Sequence, residues 1–178
     1  MKPRIDRRTF LKLGLLAPAL PRPAVASLAP ERRLALHNLH TEETLERAYW
    51  AQGSYLADAL AAIDYVLRDH RSGEVAAIDT ALIDLLHRLE TRLQPAGPFE
   101  VISAYRSPAS NQLLNATTSG VATRSLHMQG KAIDVRLPGV ALADLRQAAL
   151  ELKAGGVGYY PESNFVHLDV GRVRHWGG

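Results

Sequence analysis

Hydrophobic and polar residues alternate loosely over residues 34–40 and again over 45–50, on either side of the polar Thr41-Glu42-Glu43. Two half-buried runs about a polar turn predict a β-hairpin. From Ser54 the period becomes helical, with Leu56, Leu60, Ile63, Val66 and Leu67 on one face, Ser54 as N-cap and Ser72-Gly73 as the stop. A second helical stripe of Ile78, Leu82, Leu85, Leu86, Leu89 and Leu93 ends ahead of Pro95-Ala96-Gly97-Pro98. A strand pattern covers 99–105 and leaves by the turn Arg106-Ser107-Pro108. Beyond it the chain predicts a brief helix at 110–114, polar loops to residue 120 and over 125–130, and a strand at 132–137. A helix over 141–154 and strands at 157–160 and 165–170 complete it. Helices come early and strands mostly late, without regular β-α-β units. The fold class is therefore α+β, a small, largely antiparallel sheet packed against helices.

Charge changes the picture at the N-terminus. Lys2, Arg4, Arg7, Arg8, Lys12 and Arg22 stand against Asp6 alone in residues 1–26, although the whole chain carries a formal charge of only +3. The remaining 15 basic and 17 acidic residues give the body −2. That balance offers no electrostatic case for nucleic acid. The basic start, the apolar stretch 13–20 and Ala24-Val25-Ala26 read as an export signal with a small-x-small cleavage site. Arg7-Arg8 followed by Phe10-Leu11-Lys12 resembles a twin-arginine signal, which implies a periplasmic or cell-envelope destination. Residues 27–178 then form one domain, with the hairpin and first helices in 27–97 and the chemistry in 98–178. No later apolar run is long enough for a stable membrane span.

Candidate chemistry concentrates between Ser125 and Asp134. His127 is placed on a loop and Asp134 in the strand that follows, while His167 lies in the apolar run 164–170. Two imidazoles and a carboxylate are what a catalytic zinc site takes from a protein, leaving a fourth position to water. The chain has no cysteine, so thiolate sites and disulfides are excluded. An imidazole in an apolar strand must find partners or cost about 1–3 kcal/mol. The other histidines have plainer readings. His37 and His40 are polar positions beside a turn, His70 closes a helix, and His87 lies on a helix at an exposed or packed position.

Ser125-x-His127-x-x-Gly130-x-Ala132-x-Asp134 resembles, at every fixed position, the signature of zinc D-Ala-D-Ala carboxypeptidases and murein endopeptidases. Tyr105-Arg106-Ser107 and the strand histidine also resemble that family. The stretch from Gly155 to Asp169 is similar to its exported YcbK/MepK-type branch. The resemblance covers roughly residues 99–176 and implies a Hedgehog/D-Ala-D-Ala peptidase-like fold. It implies Zn2+ on His127, Asp134 and His167, with peptidoglycan peptides as the partner. It also implies Arg106 near the scissile carbonyl or a substrate carboxylate, and Ser125 bracing the loop. Better-known carboxypeptidases of the family carry an acid three residues before the last histidine. Here that position is Asn164, which cannot accept a proton. Asp169, on the same strand face as His167, is the preferred general base, and Glu162 on the preceding loop is the alternative. Asp169 would otherwise orient a ligand histidine. His175 is a candidate for oxyanion stabilisation. The implied activity is hydrolysis of peptidoglycan cross-links by zinc-activated water. A stem-peptide carboxypeptidase and a non-catalytic peptide-binding module are the alternatives.

Overall fold

A computed structural model describes residues 31–117 and 122–177, so the N-terminal leader lies outside the described residues. One eight-stranded sheet organises the chain, in the spatial order β3-β2-β1-β4-β5-β7-β6-β8. The strands are β1 (Arg32–Asn38), β2 (Thr44–Ala51), β3 (Ser54–Tyr55), β4 (Phe99–Ser103), β5 (Ala132–Arg136), β6 (Gly156–Tyr160), β7 (Phe165–Asp169) and β8 (Arg174–Trp176). Neighbours are antiparallel except β1 with β4 and β6 with β8. The α+β, largely antiparallel architecture is as expected, and two short edge strands, β3 and β8, extend it beyond the predicted set.

The helices are α1 (Ala57–Val66), α2 (Thr80–Leu93), α3 (Pro108–Thr117) and α4 (Leu142–Leu152). Ser54 is not the cap of α1. Gln52 and Gly53 both have positive φ, the requirement of a tight two-residue hairpin turn. They fold Ser54 back against Ala51 as β3. The cap position of α1 falls to Leu56, which has no side-chain cap bond. By contrast α2 starts where its side chains dictate, with the Asp79 carboxylate accepting from the Ala81 N–H. It ends at Gln94 in a left-handed conformation. Pro108 occupies the first turn of α3, where its missing N–H costs nothing, and that helix runs through Asn115 to Thr117, into the stretch predicted as loop.

The buried face of the sheet is built from Leu34, Leu36, Phe99, Val101, Ile133, Val135, Val166 and Leu168, each at most 1% exposed. Leu82, Leu85, Leu86 and Leu89 of α2 and Leu145, Ala148 and Ala149 of α4 join the same core. The parallel pairing of β1 with β4 carries the sheet across from the early hairpin to the later strands. No described helix is long and apolar enough to cross a membrane.

Candidate metal centre

Strand alternation sends neighbouring residues of β5 and β7 to opposite faces. Ile133 and Leu168 enter the core, while Asp134 and His167, cross-strand partners, face the other way. The third residue comes from the short 3-10 helix Leu126–Gln129 ahead of β5. Ligand atoms of His127, Asp134 and His167 lie within 4.8 Å of one another.

Each fixed position of the motif has a physical reason. The Ser125 hydroxyl caps the 3-10 turn by accepting from the His127 N–H. Gly130 ends the turn at φ +64, and a Cβ there would stand 2.2 Å from the Ala77 carbonyl oxygen. Ala132 is fully buried directly opposite Asp169, where cross-strand side chains sit about 5 Å apart and a larger group would collide. Arg106 N–H donates to the His127 carbonyl, which ties the turn to the loop after β4.

Hydrogen bonding sets the direction of both imidazoles. His127 Nδ1 is 2.7 Å from the Ala104 carbonyl oxygen. A carbonyl only accepts, so Nδ1 carries the proton and Nε2 offers its lone pair inward. His167 Nε2 is 3.2 Å from Asp169 Oδ2, so with a cation present its proton has an acceptor there and the Nδ1 lone pair is left to face inward. That Nδ1 lies 2.8 Å from Asp134 Oδ1 and 3.3 Å from His127 Nε2. Three acceptor atoms pointed at one spot repel unless a cation lies among them, so this donor set fits a metal ion. The electrostatics agree. Burial opposes charge on Asp134, yet the flanking histidines hold its carboxyl well below the usual carboxylate range. Burial opposes charge on His167 as well, but its bonds to Asp134 and Asp169 raise its pKa above the ordinary value. The cluster calls for positive charge.

Asp169 does share a strand face with His167, but its setting differs from that expected of a base. It is 0% exposed. Its oxygens accept from the Gly156 and Gly171 N–H groups, from the Arg174 guanidinium and from His167. Burial alone would raise its pKa, and these bonds together hold it well below the usual range. A carboxylate so fully engaged has little capacity to take a proton. Glu162 is exposed on the turn joining β6 to β7, outside the three-residue cluster. Asn164, in the same turn, adopts φ +55, a backbone role that Asn tolerates well.

His175 does not reach the cleft. Along β8, Arg174 and Trp176 face the metal side, where Arg174 meets Asp169 and the Trp176 ring centroid lies 5.2 Å from that of His167. Alternation turns His175 to the opposite face, beside Val157, and it is exposed. Arg106 is brought in: it is 9% exposed, its Nε has no hydrogen-bond partner, and its other contacts are long, at 3.3 Å to Asn111 and 3.5 Å to Ser103. Burial lowers its pKa and the nearby Asp134 charge counters that. A guanidinium remains protonated throughout. The remaining histidines stay apart from the centre. His37 meets Glu42, His40 stacks on His70 at 3.8 Å, and His87 bonds the Arg33 carbonyl.

Two supporting residues escaped the sequence. Asp69, 1% exposed, accepts from the Ser107 and Arg71 N–H groups and so fixes the loop that carries Arg106. It reads in sequence as one acid among several near a helix end. Trp176 was legible only indirectly, through Gly158, since glycine inside a strand marks a close approach.

The family model described as peptidoglycan L,D-endopeptidase MepK matches residues 26–176. The chain belongs to the MepK family. The peptidoglycan L,D-endopeptidase MepK of Escherichia coli K12 is 44% identical over 176 residues, covering 96% of this chain and 97% of that one. A Haemophilus influenzae member, named as a probable peptidoglycan L,D-endopeptidase MepK, is 37% identical over 179 residues, covering 97% and 96%. The crystal structure of the Serratia marcescens L-Ala D-Glu endopeptidase ChiX overlaps 52% of this chain and 70% of its own, at 20% identity and a TM-score of 0.34, a likeness too slight to carry the fold or the site. The matched residues of the family model take in the motif, the strand histidine and the early hairpin together.

Proposed function

We propose that this protein is an exported zinc peptidase that hydrolyses peptide bonds of peptidoglycan, at cross-links of the L,D type for which its MepK relatives are named. The observation that carries the reading is the convergence of His127 Nε2, Asp134 Oδ1 and His167 Nδ1, with the far side of each imidazole anchored. Zinc suits two nitrogens and an oxygen with one position left open, and when bound it supplies Lewis acidity and a water whose pKa falls to about 7.

The chain's own residues supply the rest. Asp169 fixes the ring and tautomer of His167 and raises its basicity as a ligand. Arg106, charged and short of partners, binds the scissile carbonyl oxygen or a neighbouring substrate carboxylate, where forked donors favour the charge that develops. Of the two carboxylates offered by the sequence, Glu162 keeps free oxygens and access to solvent, and we assign it the proton of the attacking water. The leader directs the protein to the cell envelope by the twin-arginine route.

The test is direct. Full-length mature protein loaded with zinc is incubated with purified cross-linked muropeptides, and product masses are read. Cleavage is expected to part the cross-linked dimer into two peptides. Release of one terminal residue would make the protein a carboxypeptidase. Dimer bound but left intact would make it a binding module, the reading that Asn164 in place of an acid favours.

A further inference from the structure

The metal-side face of β6, β7 and β8 carries a continuous aromatic wall beside His167, and no part of the chemistry above uses it. The Trp176 indole lies tilted 51° against the His167 ring. Its Nε1–H donates to the Tyr160 hydroxyl at 2.8 Å, and the Tyr160 ring stacks on Phe165 at 4.6 Å. Arg174, already paired with Asp169, places its guanidinium 4.9 Å from the indole centroid. Gly158 is the device that admits the arrangement. A Cβ there would fall 2.7–2.9 Å from indole atoms Cε2, Cζ2 and Nε1, so the ring lies flat against the strand backbone. The three aromatic residues are only partly buried.

A residue placed only to fill the core would not need a bare backbone, a dedicated hydroxyl and a cation to hold it half-exposed beside a metal ligand. Rigid, half-exposed aromatic faces bind apolar and alkyl groups at low entropic cost. We propose that Trp176, braced by Tyr160, is a substrate-binding residue that seats the alkyl side chain of the peptide residue next to the scissile bond. This rests on the peptidase reading above and names a contact by which that substrate is positioned. Arg106 holds polar groups from the other side of the cluster, and Trp176 packs the hydrocarbon.

The experiment uses the zinc-loaded full mature chain and compares wild type with Trp176→Ala, Trp176→Phe and Tyr160→Phe. Three quantities are measured for each: KM and kcat on a cross-linked muropeptide, bound zinc by mass spectrometry, and the Kd of the reduced-amide analogue of that peptide, which cannot be cut. Trp176→Ala is expected to raise KM and the analogue Kd about tenfold, with kcat within about twofold and full zinc. Trp176→Phe, which keeps a flat face, should fall between the two. Tyr160→Phe, which frees the indole without removing a ring, should weaken binding about threefold. If Trp176→Ala does not fold, the two conservative variants test the proposal by the smaller rises in KM and Kd given for each. Unchanged KM and Kd would overturn the proposal. So would loss of zinc with a matching fall in kcat, because the indole would then only support His167. Wild type that cuts nothing would sink the peptidase reading instead, and the analogue titration would still decide the wall.

Discussion

The two faces of β5 and β7 use the same backbone for opposite purposes. On one side Ile133, Val135, Val166 and Leu168, all 0% exposed, merge with the side chains of α2 and α4. On the other side Asp134, His167 and Asp169 are held by individually directed bonds. Burial on the first face is non-directional and roughly proportional to area, so hydrophobic residues of similar volume exchange there at modest cost. The second face allows no such exchange. Each polar group is matched to specific partners, and losing them leaves a buried group unsatisfied. Stability is distributed over the first face, and chemistry is concentrated on the second.

Breaking the second face at its centre gives the largest effect. His127→Ala, Asp134→Ala or His167→Ala is expected to remove the bound metal and lower turnover on the order of a thousandfold or more, read by metal analysis and muropeptide digestion side by side. Breaking the first face instead, with Leu168→Ala, should cost about 2–5 kcal/mol in a urea melt while the folded variant keeps its metal. Loss of metal in that variant would mean the two faces are not separable.

Asp169→Asn probes the boundary between support and chemistry. As the partner of His167 it should lose about 10–100-fold in metal affinity or activity. Unchanged metal affinity with turnover abolished would return the base to Asp169 and take it from Glu162. The last of the four effects, similar in size, concerns the loop that delivers Arg106. Asp69→Asn should cost about 1.5–3 kcal/mol at neutral pH, since it removes charge-assisted bonds to buried N–H groups. Burial alone would raise the Asp69 pKa, but bonds from Ser110, Ser107 and Arg71 hold it well below the usual range. Its contribution is therefore complete above the unfolded carboxylate pKa of about 3.9 and is lost as pH falls from there toward the folded value. Melts at neutral and acidic pH should show the gap between wild type and variant closing only below about pH 4.

Local rules sufficed wherever the determining partner was close in sequence. The stripe Leu82, Leu85, Leu86 and Leu89 specifies α2 because residues three and four apart share a helix face. Alternation put Asp169 on the same strand face as His167, two residues away. The start of α1 was misjudged because Ser54 has two local options, a cap or a hairpin, and the pairing of β3 with β2 selects the hairpin. His175 was misjudged for a related reason. A three-residue strand has almost no periodic signal, and its phase is set by β6 beside it.

By itself the sequence determined the hairpin, the helical stripes, the absence of thiolate chemistry and the three residues of the candidate metal centre, because motif spacing and strand period are written locally. Only the tertiary structure decided what surrounds them. The carboxylate of Asp169 is claimed by Gly156, Gly171 and Arg174, up to thirteen residues away. Asp69 reaches 38 residues to the loop of Arg106. Trp176 reaches His167 only because β8 joins the sheet next to β6. Whether a carboxylate is a base or a brace depends on which donors saturate it, and those donors meet it only when the sheet is assembled.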